Sequence, residues 1–218
     1  MPTPNSSASP DTQPAGHSLR RPPACSTRHA REAPVNGPSS SVPAEPSVRD
    51  LRPGDRFPDL ALPDGDGHPR TLSELAGGDP LLLHTYRGWW CPKERAFLRT
   101  LTGWQGELEV AYTRLVSVSV DPPAVVAAFR AGLDARWPFL SDADRTALPR
   151  LGLLEVEDTV HTPYLPTLWL LRPDLIVHRW WNGYWYWGRP TLPELHVELR
   201  ALGADLRPDW DPPRPDAR

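Results

Sequence analysis

The run Leu81-Leu82-Leu83-His84-Thr85-Tyr86 constrains this chain more than any other. A strand-length apolar stretch that does not alternate suits a central strand covered on both faces. Gly77-Gly78-Asp79-Pro80 breaks the chain ahead of it, and Arg87-Gly88-Trp89-Trp90 follows as a tight aromatic loop. Cys91-Pro92-Lys93-Glu94 comes next. Proline suits a first helical position, where its missing N–H would be unpaired anyway. Phe97, Leu98, Leu101, Trp104 and Leu108 then mark an apolar stripe at helical spacing. The pattern predicts a strand, a loop and a helix, with a cysteine at the helix start. Unpaired N–H groups and the positive end of the helix dipole favour a thiolate nucleophile at such a place.

Outside this unit, order is predicted from about Val48 onward. Leu51-Arg52-Pro53-Gly54-Asp55 reads as a turn, Phe57 to Leu62 as a short strand, and Pro63 to Gly67 as a turn cluster. Thr71 or Ser73 caps a helical turn. Leu115 to Val120 reads as a strand. Asp121 is expected as the N-cap of a helix whose Val125, Val126 and Phe129 face inward. Ser141-Asp142 is expected to cap a brief helix through about Leu148. Thr167 to Leu171 and Ile176 to Trp181 read as adjoining strands, and Asn182-Gly183 as a tight turn returning Tyr184-Trp185-Tyr186-Trp187 as a hairpin arm. Thr191-Leu192-Pro193-Glu194 is a capping box before a last helix with Leu195, Val197, Leu199 and Leu202. This order predicts a three-layer α/β fold with a small mixed sheet.

The 218 residues suit one domain with tails. Residues 1–48 are rich in Pro, Ser and Ala and read as a disordered leader, residues 49–204 as the folded domain, and residues 205–218 as a flexible tail. A net charge of −3 gives no sign of a nucleic-acid surface. No apolar run reaches the roughly 18 residues of a membrane span, and no signal peptide is visible, so a cytoplasmic protein without membrane contact is expected. Two cysteines, Cys25 and Cys91, exclude a disulfide-dense scaffold. No metal-ligand spacing and no glycine-rich phosphate loop is present, so neither metal nor cofactor is expected.

Pro53-Gly54-Asp55-Arg56-Phe57-Pro58-Asp59-Leu60, Arg87-Gly88-Trp89-Trp90-Cys91-Pro92, Trp137-Pro138-Phe139-Leu140-Ser141-Asp142 and Leu165-Pro166-Thr167 together carry a resemblance. They are similar to segments of the alkyl hydroperoxide reductase and thiol-specific antioxidant family, the redoxins or peroxiredoxin-like proteins of the thioredoxin-like superfamily. The resemblance covers about residues 50–203. It implies a thioredoxin-like fold, a reactive Cys91, and a cis-proline loop at Pro166 and Thr167 beside it. Departures accompany it. Thioredoxins place a second cysteine where Glu94 stands, so no disulfide cycle can run within this motif. Typical peroxiredoxins carry a proline at the place of His84, a peroxide-positioning threonine or serine at the place of Gly88, and an arginine at about the place of Pro166.

The candidate catalytic residues are therefore Cys91, Arg87 and Glu94. Arg87 is the nearest cation in sequence and stands as a substitute for the missing arginine. Glu94 serves either as a base or arginine partner, or only as a favourable charge in the first helical turn. Tyr86, Trp89, Trp90, Pro166 and Thr167 are expected to line a substrate or partner groove. His161 could reach the same face or be merely a surface or core residue. Cys25 is either incidental or a resolving thiol. Trp180, Trp181 and Tyr184 to Trp187 form either an aromatic core or a surface for a homodimer or ligand.

Two functions compete. One is a thiol-dependent oxidoreductase that reduces a peroxide or disulfide through Cys91, with an external thiol reductant. The other is a binding or redox-sensing protein of the same fold with little or no turnover.

Overall fold

The structure is a computed structural model that describes residues 50–183 and 188–209. The leader, Cys25, the Tyr184–Trp187 arm and the end of the tail lie outside the described residues. Strands β1 (Ala61–Pro63) and β2 (Pro69–Thr71) pair antiparallel. Thr71 then caps α1 (Leu72–Ala76) by accepting the Glu74 N–H. Strand β3 (Leu81–Thr85), helix α2 (Pro92–Val110), β4 (Arg114–Ser119), α3 (Pro123–Leu133) and β5 (Phe139–Ser141) follow. The remaining elements are α4 (Leu148–Leu151), β6 (Thr167–Leu171), β7 (Val177–Asn182) and α5 (Leu192–Leu206).

The main sheet has the order β5-β4-β3-β6-β7, so β3 is its middle strand. β3 pairs parallel with β4 and antiparallel with β6, and β4 pairs parallel with β5. Parallel neighbours need a long crossover, which α2 and α3 supply. Every residue of β3 is buried, as its apolar run requires. Alternation along the strand feeds two cores. Leu82 and Tyr86 meet Leu98, Leu101, Leu168, Leu195 and Leu199 under α2 and α5. Leu81 and Leu83 meet Phe57, Leu72, Tyr164 and Trp169 on the other face. The segment before β1 is tied to β7 by Gly54 N–H to the Val177 carbonyl and Phe57 N–H to the Leu175 carbonyl, both at 2.8 Å.

Several sequence expectations change. The Phe57–Leu62 strand shrinks to Ala61–Pro63, because residues 54–57 bond the β7 end instead. The N-cap position before α3 belongs to Pro122, while Asp121 turns its carboxylate to another loop. The helix expected to start at Ser141-Asp142 forms only at Leu148–Leu151. Asp142 accepts N–H groups of Thr146 and Ala147 at 2.8 and 3.1 Å, which holds a turn ahead of that helix. Val197 is exposed rather than inward, and the buried stripe of α5 is Leu195, Leu199 and Leu202. The capping box stands: Thr191 accepts the Glu194 N–H, and Glu194 accepts the Thr191 N–H. The described tryptophans do not share one face. Trp180 stacks on buried Trp169 at 5.2 Å, and Trp181 packs partly against the opposite core. Among the described residues, no helix is long and apolar enough to cross a membrane.

The middle strand gives a direct test of packing. Leu82→Ala should destabilise the protein by about 2–5 kcal/mol, read as a lower urea midpoint with an unchanged slope.

Candidate active site

Cys91 is the N-cap of α2, with extended backbone (φ −76°, ψ 116°) and no side-chain capping bond. Its N–H donates to the Gly88 carbonyl at 3.2 Å, and its carbonyl accepts the Arg95 N–H at 3.0 Å. Those bonds close the aromatic loop into a turn and start the helix. The residue is 2 % exposed, and no hydrogen bond to its thiol is found among the described residues. The Pro166 loop lies beyond the same end of β3. The Thr85 hydroxyl sits 3.1 and 3.3 Å from the Leu165 and Thr167 carbonyls, and Gly183 N–H donates to the Pro166 carbonyl at 2.7 Å. Thr167 pairs with Thr85 across the sheet, and its hydroxyl donates to the Leu165 carbonyl.

Gly88 explains one departure from the family pattern. Its φ is +148°, a conformation that L side chains rarely adopt. A Cβ there would lie 2.6 Å from Trp90 Nε1 and 3.1 Å from Asp121 Oδ1. A threonine at 88 is excluded by the indole as well as by the backbone. Asp121 secures the same loop, accepting the Trp89 N–H and the Ser119 hydroxyl, each at 2.9 Å. Burial pushes the Asp121 carboxyl above its ordinary range, against the pull of those two hydrogen bonds. Trp89 itself is 49 % exposed. Tyr86 faces away from this loop, into the helix-side core against Phe129 and Phe139. Its hydroxyl lacks a partner of normal geometry, although Ser119 stands near it, and burial pushes the phenol well above its ordinary range. Tyr86 is thus a core residue and not a groove lining.

Arg87 is paired with two carboxylates. Its Nε lies 2.7 Å from Glu155 Oε2 and its Nη2 donates to Asp158 at 2.9 Å. The Glu155 contact is an ion pair with poor hydrogen-bond alignment. The guanidinium also lies 4.8 Å from the Trp90 ring. On the same ring His161 stacks at 3.9 Å between centroids. His161 Nδ1 is 3.1 and 3.2 Å from the two Asp158 oxygens, closing a ring of four side chains. Burial pushes Glu155 up, with Arg87 opposing it. Asp158 is held below its ordinary range by the backbone N–H of His161, against partial desolvation.

Glu94 is fully buried, one helical turn into α2. Arg189 donates to Glu94 Oε1, and His84 Nε2 stands 3.4 Å from Oε2. Burial alone would push this carboxyl up. The close approach of His84, although too poorly aligned for a normal hydrogen bond, and the charge and hydrogen bond of Arg189 outweigh it, and hold the carboxyl below its ordinary range. Phe97 covers the cluster, with His84 at 5.3 Å and the Arg189 guanidinium at 5.7 Å. Arg189 escaped the sequence reading because Gly188-Arg189-Pro190 shows there only as a break before a helix. An ion pair spanning 95 positions has no local signature. Glu155 and Asp158 lack a local signature in the same way, and Asp121 shows in the sequence only as a helix cap, not as the partner of the Trp89 N–H. As for metals, Asp64, Asp66 and His68 bring ligand atoms within 4.8 Å on the β1–β2 turn, largely exposed to solvent.

The sequence pattern of the AhpC/TSA family matches residues 53–179. The chain belongs to the AhpC/TSA family. A Mycobacterium tuberculosis protein assigned as a peroxiredoxin is 31% identical over 105 residues, which are 47% of this chain and 64% of that protein. The chain therefore spans a little under two thirds of that relative's length. The 1-Cys peroxiredoxin PER1 of Hordeum vulgare is 24% identical over 133 residues, covering 57% of this chain and 61% of it. Among solved structures, peroxidoxin BcpB of Mycobacterium tuberculosis superposes with a TM-score of 0.59 at 23% identity, covering 74% of this chain and 99% of its own. A peroxiredoxin-like protein of Aquifex aeolicus reaches a TM-score of 0.62 at 16% identity, over 73% and 90% of the two chains. The fold is thioredoxin-like, a mixed α/β sheet layered between helices, as the sequence resemblance implies.

Two outcomes test these assignments. Gly88→Ala should lower stability by about 1–3 kcal/mol in urea titration, from strain and from the displaced Trp90 ring. For Glu94 the sign follows from its depressed carboxyl. Ionised Glu94 stabilises the fold above the ordinary value of 4.5, and that contribution drains away as pH falls below it. Urea midpoints measured from pH 7 down to 3 should therefore fall more steeply for the wild type than for Glu94→Gln.

Proposed function

We propose that this protein reduces hydroperoxides through Cys91 alone, with an external thiol completing the cycle. The observation that carries the reading is the position of Cys91. It is the N-cap of the first long helix, in a family of peroxiredoxin-like proteins, and buried Glu94 occupies the place where a second cysteine would close a local disulfide. The Cys91 thiolate attacks the terminal peroxide oxygen. The S–O bond forms as the O–O bond breaks, giving a sulfenic acid and an alkoxide that leaves as the alcohol after taking a proton. One molecule of reducing thiol then attacks the sulfenic sulfur and releases water. A second thiol attacks the mixed disulfide, restoring Cys91 and carrying the oxidising equivalent away as a disulfide. The same thiolate would attack a disulfide substrate by exchange.

In this reading Arg87, Trp89, Trp90, Pro166 and Thr167 border the approach to Cys91. Arg87 contributes a charge shared with Glu155 and Asp158, which weakens its support of the thiolate. Glu94 acts at one remove, by holding Arg189 and His84 under the start of α2.

A second reading has its own support. Gly88 carries no hydroxyl, the thiol is almost completely buried, and Arg87 is already paired with two carboxylates. These features favour a stoichiometric redox sensor or binding protein of the same fold.

The two readings separate in one experiment. Purified protein is mixed with limiting tert-butyl hydroperoxide and a sulfenic-acid trap, then weighed by intact mass. Turnover is followed in parallel with dithiothreitol present. Trapped sulfenic acid and multiple turnovers in the wild type, both lost in Cys91→Ser and kept in Cys25→Ser, are the expected result. One oxidation per chain without turnover would instead support the sensor.

A further inference from the structure

We propose that His161, oriented by Asp158, is the proton donor to the alkoxide leaving group. The inference rests on the peroxide-reducing reading of Cys91. A thiolate that splits an O–O bond expels a strongly basic alkoxide, and a positioned acid speeds such a step. At Gly88 a side-chain hydroxyl is excluded by φ and by the Trp90 ring. Beside this loop the described residues offer an imidazole that is fixed in direction.

His161 is fixed by three sets of contacts. Its Nδ1 faces both Asp158 oxygens at 3.1 and 3.2 Å, which places a proton on that nitrogen and leaves Nε2 as the working end. Its ring lies on Trp90, the residue immediately before Cys91, at 3.9 Å and 19°. Its backbone is held by its own N–H to Asp158 at 3.0 Å and by Arg145, which donates to the His161 carbonyl at 2.9 Å. Among the described residues Nε2 has no hydrogen-bond partner. The side chain is 41 % exposed, so water can return a proton after each transfer.

The arrangement is that of a carboxylate aligning an imidazole, set against the loop that carries a nucleophile. Asp121 holds the Trp89 N–H of the same loop. The charged groups around the ring are therefore Asp158, Asp121 and Glu155 on one side of the balance, and Arg87 and Arg145 on the other.

The step balances. Cys91 releases its thiol proton to water. The thiolate donates an electron pair to the terminal peroxide oxygen, forming S–O and breaking O–O. His161 enters the step as the imidazolium, one proton on Nδ1 toward Asp158 and one on Nε2; the Nε2 proton passes to the alkoxide oxygen, and the neutral Nδ1–H ring then takes back, through water, the proton that Cys91 released. The sum is thiol plus hydroperoxide giving sulfenic acid plus alcohol.

Leaving-group dependence tests this role. Single-turnover oxidation of Cys91 is measured with tert-butyl hydroperoxide, whose alkoxide needs a proton, and with peroxybenzoic acid, whose carboxylate does not. His161→Asn keeps a donor toward Asp158 but has no Nε2, and His161→Phe keeps the stack on Trp90. Both variants should slow the alkyl hydroperoxide reaction by roughly 10²-fold or more. Peroxybenzoic acid oxidation and iodoacetamide alkylation of Cys91 should stay within about twofold, since neither expels a group needing a proton. Equal slowing of all three reagents would overturn the proposal and leave His161 as a latch between loops, as would no slowing of any. A wild-type Cys91 that reacts with both peroxides no faster than free cysteine would sink the peroxidase reading itself. Two variants with different side chains keep the test valid should one misfold, which circular dichroism reports.

Discussion

The complete burial of β3 is the constraint on which the rest of the molecule depends. A strand with both faces covered needs neighbours on both edges and a layer on each side. The chain meets this with β4 on one edge and β6 on the other, α2 and α5 over Leu82, and the α1 side over Leu81 and Leu83. The strand must then leave the sheet at one end, and everything reactive gathers there. The loop from Arg87 to Trp90, the start of α2 and the Pro166 loop all meet at the C-terminal end of β3, the crossover having no other place to begin.

Buried carboxylates then fix that end in detail. Each is expensive to desolvate, and each is matched to partners from a distant part of the chain. Glu94 draws in Arg189 and His84, Asp121 takes the Trp89 N–H, and Glu155 with Asp158 holds Arg87. Three separate segments are thereby pinned around one cysteine. Two of the cations drawn in, Arg87 and Arg189, are thereby neutralised by acids.

The departures from the family pattern form a connected set. Gly88 is required by the indole of Trp90, and the indole is in turn sandwiched into a cluster with Arg87, His161 and Asp158. Loss of a hydroxyl at one position and gain of an aromatic ring beside it are two sides of one packing arrangement. His84 is accommodated in the buried strand because Glu94 lies within 3.4 Å of its Nε2.

The sequence by itself determined the local pieces. The β3 run, the Pro92 start of α2, the Thr191 capping box and the motif around Cys91 were all legible, because hydrophobic period, capping chemistry and proline geometry act over a few residues. Where local signals were ambiguous the reading slipped. Asp121 has the chemistry of an N-cap, yet tertiary structure gave its carboxylate to the Trp89 N–H. Asp142 has the same chemistry and caps a turn instead of opening a helix there. Only the folded chain decided that Arg189 belongs to Glu94, that Arg87 belongs to two acids, that Tyr86 is core, and that His161 lies on Trp90. Those pairings join residues up to 95 positions apart. Charge pairing and ring stacking depend on distance in space, which a sequence pattern does not contain until the sheet has brought the segments together.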